Sequence, residues 1–153
     1  MKHITSLLKL TLLGALTLGV ARFALADVRL PAIFSDHMVL QQDEDCAIWG
    51  WADPGEKVTV TIAGKSTSTK AGRDGRWKLE LPELKAGGPH TLVVAGNNSI
   101  TVQDVLVGEV WLGSGQSNMA MKVSAAMDYE KEQAAANLPQ VRMFTEASGA
   151  SNK

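Results

Sequence analysis

Between residues 27 and 102, apolar and polar positions alternate in short runs separated by turn-forming residues. Val58, Val60 and Ile62 alternate with Thr59 and Thr61, and Trp77, Leu79 and Leu81 alternate with Lys78 and Glu80. A period of two puts one set of side chains on one face, so each run predicts a half-buried strand. Residues 46–51 (CAIWGW) are apolar in both phases, and residues 90–95 form a further run between Gly87-Gly88-Pro89 and Gly96-Asn97-Asn98. Asp53-Pro54-Gly55-Glu56 predicts a type II turn, because Pro54 presets φ and Gly55 accepts a positive one. Asp74-Gly75 predicts a hairpin between residues 66–70 and 77–81. Turn signals roughly every 8–12 residues suggest a β-sandwich over residues 27–104.

Past residue 104 the pattern changes. Val105, Val107 and residues 110–112 read as a strand that enters a core, which Gly113-Ser114-Gly115 breaks. Residues 121–138 are rich in Ala, Met, Lys, Glu and Gln, without glycine or proline, and predict a helix. Asp128, Glu130 and Glu132 suit the positive end of its dipole. Pro139 closes it, and residues 141–145 read as a second strand. Strand, helix, strand is a parallel βαβ unit, the opening of an α/β domain over residues 105–153. The fold class expected is therefore mixed: a β-sandwich, then the first βαβ of a flavodoxin-like domain. Two parallel strands cannot cover both their faces, so the pattern is read as that of a truncated α/β domain.

The turn between that strand and helix carries the candidate chemistry, Gly113-Ser114-Gly115-Gln116-Ser117-Asn118-Met119. Reactive groups of open α/β sheets gather at the carboxyl ends of strands, which singles out Ser117. A dinucleotide fingerprint fails at Asn118, where its third glycine would stand. No Gly-Lys-Ser/Thr run makes a phosphate loop, and the hydrolase elbow G-x-S-x-G fails at Met119. On the residues alone, a plain Gly/Ser loop and a serine poised on a tight turn both remain open.

Three blocks together resemble one family. GEVWLGSGQSNM (108–119) resembles the nucleophile block of the sialate O-acetylesterases, a branch of the SGNH (GDSL-like) serine esterases. LPAIFSDHMVLQ (30–41) and WGWADPGEKVTV (49–60) resemble that family's amino-terminal β-domain, in the same order. Gly113 departs from the pattern, since many relatives carry cysteine there. The resemblance implies that Ser117 is the nucleophile, that its backbone N–H is an oxyanion donor, and that the substrate is an acetylated sialic acid or other acetylated sugar. It also implies that the Asp-x-x-His base lies downstream; no histidine follows Ser117, so these residues alone are expected to be an inactive amino-terminal fragment. No cofactor and no metal are implied.

Composition narrows the rest. Lys2 and Lys9, an apolar run over residues 10–20 and Ala24-Leu25-Ala26 read as a cleaved signal peptide over residues 1–26, hence an exported protein. Loss of Lys2, Lys9 and Arg22 leaves 12 basic residues against 16 acidic ones, a net charge of −4. Such a chain attracts neither nucleic acid nor, once cleaved, an anionic membrane. Cys46 is the only cysteine, so no internal disulfide forms, and its apolar surroundings suggest an inert thiol. His37 and His90 are candidate bases with a plainer reading as solvated or hydrogen-bonded side chains. Trp49, Trp51 and Trp77 are either a sugar-stacking platform, as in a non-catalytic carbohydrate-binding module, or core; their size favours the core. Asn97-Asn98-Ser99 fits a glycosylation sequon on a surface turn. Export predicts a mature amino terminus at Asp27, and amino-terminal sequencing of secreted material that starts at Met1 would contradict it.

Overall fold

A computed structural model of the chain describes residues 27–145; the expected signal segment, residues 1–26, lies outside them. Seven strands form in order: β1 (Val39–Gln41), β2 (Cys46–Trp51), β3 (Lys57–Ile62), β4 (Lys65–Lys70), β5 (Arg76–Leu81), β6 (Gly87–Ala95) and β7 (Ser99–Gly108). Five make one sheet in the order β1-β7-β6-β3-β4, and β2 pairs with β5 in a second. All pairs are antiparallel except β1 with β7, where Val39 lies beside Leu106.

Both sheets turn their apolar phases onto one core. Val58, Val60 and Ile62 of β3, Leu92 and Val94 of β6, and Val105 of β7 are at most 1 % exposed. Against them lie Ile48 of β2 and Trp77, Leu79 and Leu81 of β5, with Val28 and Leu84 closing the ends. Each fully buried aliphatic side chain contributes roughly 1.5–3 kcal/mol by leaving water. Strand β4 is polar on both faces and lies at the sheet edge, where Lys65 and Lys70 discourage further pairing.

Local chemistry explains the turns. Gly55 adopts φ +80° and Glu56 N–H donates to the Asp53 carbonyl at 2.9 Å, the turn expected there. Ala63 and Gly64 both have positive φ, and this two-residue connection makes β3 and β4 the tight hairpin. The hairpin expected at Asp74-Gly75 is not one. Gly75 does take φ +74°, but β4 pairs with β3 and β5 with β2, so this turn carries the chain from one sheet to the other. A Gly turn sets a change of direction; which strands pair is decided by whose apolar face fits the core.

Trp49 and Trp51 also depart from the core reading. They are 40 % and 38 % exposed, whereas Trp77 is 3 % exposed. In β2 the inward phase is Ile48 and Gly50, and Gly50 has to be glycine: a β-carbon there would come within 2.1 Å of the Arg29 carbonyl oxygen. The tryptophans are thereby placed on the outer face.

Strand β7 contains one residue too many. His90 faces Val105 while Leu92 faces Val102, so three steps in β7 oppose two in β6. The surplus is a β-bulge, and Asp104 sits in it with φ +52°. The bulge inverts the phase of the strand, burying Val102, then Val105 and Val107. Those two valines, read from sequence as opening a second unit, thus belong to the last strand of the first sheet. Beyond Gly108 the expected βαβ is not formed among the described residues. Residues 110–112 and 141–145 are not strands, and the helix is α1 (Tyr129–Ala135), shorter than residues 121–138. Glu130 and Glu132 do occupy its first turn. The physical reason is the lack of a partner: no residue from 109 to 145 is buried, and parallel strands need cover on both faces.

Replacing Leu92 by Ala should cost about 2–5 kcal/mol, as for other fully buried leucines. Urea unfolding of the variant tests this; an unchanged midpoint would contradict the placement of Leu92 in the core.

Candidate functional site

Ser117 is the first residue of a short 3-10 turn, Ser117–Ala120. Gln116 before it is extended, and Gly115 before that has φ +155°, beyond the ordinary range of a residue with a side chain. Met119 N–H donates to the Gln116 carbonyl at 2.9 Å, the first internal bond of the turn, which leaves the N–H groups of Ser117 and Asn118 for another acceptor. The two glycines also make room for Met119. A β-carbon at Gly113 would stand 3.2 Å from its Cε, and one at Gly115 3.0 Å from its Cγ. Met119 is nonetheless 58 % exposed, and Met121 and Met127 are more so. Ser117 is exposed, and its hydroxyl makes no hydrogen bond among the described residues.

A second group assembles residues that sequence reasoning did not connect. Asp104 Oδ2 lies 2.6 Å from His37 Nδ1 and 2.7 Å from Arg142 Nη2. The bulge in β7 presents this carboxylate. His37 is held opposite by its own N–H, which donates to the Gln103 carbonyl at 3.0 Å, while Asp36 Oδ1 accepts the Gln103 N–H at 2.7 Å. Arg142 arrives from the segment that carries Ser117, and it is one of two half-buried residues in that segment. Sequence separations of 67 and 38 residues give no spacing signal. The one clue is the phase break in Val102-Gln103-Asp104-Val105, where two apolar positions stand three apart.

A histidine oriented by a carboxylate has the form of a catalytic base with its positioning partner. Here that carboxylate also neutralises an arginine, and no hydrogen bond links His37 to Ser117 among the described residues. His37 is therefore a hydrogen-bonded surface histidine. His90 lies within β6 and forms no ion pair among the described residues. No three His, Cys, Asp or Glu side chains converge as a metal site among the described residues.

Comparison with known proteins finds similarity to proteins named as acetylesterases of sugars. It is 39% identical to the sialate O-acetylesterase of Mus musculus, over 74% of this chain and 23% of that protein. It is 38% identical to the sialate O-acetylesterase of Homo sapiens, over 82% of this chain and 26% of that protein. Among solved structures it is similar to a carbohydrate acetylesterase from Xanthomonas citri, with a TM-score of 0.70 and 41% identity over 74% of this chain and 26% of that one. No family model matches the chain. The chain thus spans about a quarter of the length of the curated relatives it matches.

Cys46, expected to be an inert thiol, lies at the start of β2. Its thiol donates to the Gln41 carbonyl at 3.2 Å and is half-buried. Burial pushes the thiol above its ordinary range, and the nearby Glu44 and Asp45 carboxylates add to it. A raised value leaves less thiolate, the reactive form, at neutral pH. Iodoacetamide should accordingly alkylate Cys46 more slowly than free cysteine at pH 7.5, with the rate climbing as pH rises further. Alkylation as fast as free cysteine would contradict this environment.

Proposed function

Since this chain is a homologue of the sialate O-acetylesterases, we propose that it supplies the nucleophile segment of a serine carboxylesterase that removes O-acetyl groups from sialic acids or related sugars. The observation that carries the reading is Ser117 itself: an exposed hydroxyl with no competing partner among the described residues, at the first position of a tight turn whose leading N–H groups have no acceptor among them either. In this reading the Ser117 Oγ attacks the acetyl carbonyl carbon and passes its proton to a base. The carbonyl oxygen becomes an oxyanion, which the Ser117 N–H stabilises as one of several donors. Collapse of the intermediate expels the sugar hydroxyl, which takes the proton back, and water then releases acetate from the serine.

Among the described residues no histidine is hydrogen-bonded to the Ser117 hydroxyl, and His37 is engaged by Asp104. Residues 1–153 by themselves are therefore proposed to be inert towards esters. The same reading has residues 109–145 acquiring strand–helix–strand order when further strands of an α/β sheet lie beside them, which would cover Trp111 and Leu112, now 85 % and 93 % exposed. It further assigns residues 1–26 to export, so that the site works outside the cytoplasm.

The test is a chimaera in which this chain replaces the matching quarter of an active acetylesterase. Ser117→Ala should lower kcat by about 10⁵–10⁶-fold with little change in substrate binding, as on loss of other serine nucleophiles. Ser114→Ala should lose at most a hydrogen bond of about 0.5–1.5 kcal/mol. Near-normal turnover of Ser117→Ala, or greater damage from Ser114→Ala, would mean that the wrong serine has been chosen.

A further inference from the structure

The outer face of the β2–β5 sheet is an ordered arrangement of aromatic and cationic side chains that no catalytic step uses. Register sets its rows. Trp51 is paired with Arg76 of β5 on one side. On the other it is bridged to Arg29, whose N–H and carbonyl both bond to it, at 2.8 and 3.0 Å. Paired residues share a face, so one row reads Arg29, Trp51, Arg76 across three segments of chain. The next row pairs Trp49 with Lys78. All five are exposed to solvent, while Ile48, Trp77 and Leu79 between them point into the core.

The indoles are held rather than loose. Phe34 meets Trp49 edge to face, with ring centroids 4.7 Å apart and planes at 76°. The Arg29 guanidinium carbon lies 5.9 Å from the centre of the Trp51 ring, a cation–π contact. Two acids share the region, Asp74 at 3.9 Å from Arg76 and Glu80 at 3.6 Å from Lys78. Both pairs are long and well exposed, the kind that holds its partner weakly. Three cations against two carboxylates leave the face locally positive on a chain whose mature net charge is −4.

We propose that this face is a carbohydrate-binding site for acidic glycans, with Trp49 and Trp51 stacking on the apolar face of a pyranose while Arg76 and Lys78 take its carboxylate. Preformed, half-exposed indoles give contact area with little side-chain ordering on binding. A guanidinium forms charge-assisted bonds to a carboxylate in place of its long contact with Asp74. The overall negative charge opposes a polyanion such as nucleic acid, whereas a single carboxylate meets only the local cations. The site shares no residue with the Ser117 turn, so it stands or falls independently of the esterase reading.

The test uses the 153-residue chain labelled with ¹⁵N and follows its four indole N–H signals while the methyl α-glycoside of N-acetylneuraminic acid is added to about 10 mM. Trp49 and Trp51 should shift saturably, and the buried Trp77 and the distant-in-sequence Trp111 should not. Methyl β-galactoside, which lacks the carboxylate, should bind at least about tenfold more weakly, and Arg76→Glu should weaken the acidic sugar by a similar factor. Trp49→Ala should abolish the response. Arg76 is 77 % exposed, so its variant decides the matter even if Trp49→Ala fails to fold. The proposal is overturned if no signal saturates, if the two sugars bind alike, or if Arg76→Glu binds normally. It is equally overturned if the Trp49 and Trp51 signals move with protein concentration alone, which would make the face a contact between copies of the chain.

Discussion

The packing of the two-stranded sheet β2–β5 onto the five-stranded sheet is the interaction on which the rest depends. Two strands alone are marginal in water. Their inner phase, Ile48 with Trp77, Leu79 and Leu81, becomes stable only against Val58, Val60, Leu92 and Val105. That contact decides which phase of each strand faces out, and so which residues are available for chemistry. Trp49, Trp51, Arg76 and Lys78 are outside because their neighbours in sequence are inside. The same contact selects the pairing of β5 with β2, which leaves β4 to pair with β3 in the other sheet.

Much of this was legible in the residues, and the failures have definite causes. Strands β3 and β5 show strict alternation with charged or hydroxyl residues between, and their buried phases are those the pattern names. In β2 both phases are apolar, so periodicity cannot choose between them; size pointed to the tryptophans as core. What decided was a close approach of the Arg29 carbonyl, which only Gly50 tolerates, and no count of hydrophobic residues contains that contact. Asp74-Gly75 was rightly a turn and wrongly a hairpin, because turn chemistry is local and strand partnership is not. The tight hairpin at Ala63-Gly64 gave a weak signal, since Ala63 adopts positive φ where Asn or Asp is usual.

The candidate site was legible in a different sense. Gly115 and Ser117 mark a turn by composition, and the turn is there. The helix around it was overestimated because good helix formers do not make a helix without a surface to pack on. The His37–Asp104–Arg142 group was invisible in advance, since three segments contribute one member each and a one-residue bulge aims the carboxylate. Its consequence is mechanical: Arg142 is tied to strand β7 by an ion pair at 2.7 Å, so the exposed stretch around Ser117 is tethered at both ends. At the near end the Gln41 side chain accepts the Val110 N–H at 2.9 Å.

The place of β1 in the sheet bears on how the molecule comes into being. Among the described residues Val39 to Gln41 have no sheet partner other than Leu106 to Gly108, and β7 stands between β1 and β6. A ribosome makes β1 first and β7 last of the seven, so the earliest strand waits through some 65 residues of synthesis for the neighbour that fixes it. Closing so long a loop is slow, and contacts of such separation delay folding. Until Gly108 has been made, β6 offers an unpaired edge and β1 an apolar stub, which is when this chain is most exposed to pairing with the wrong partner.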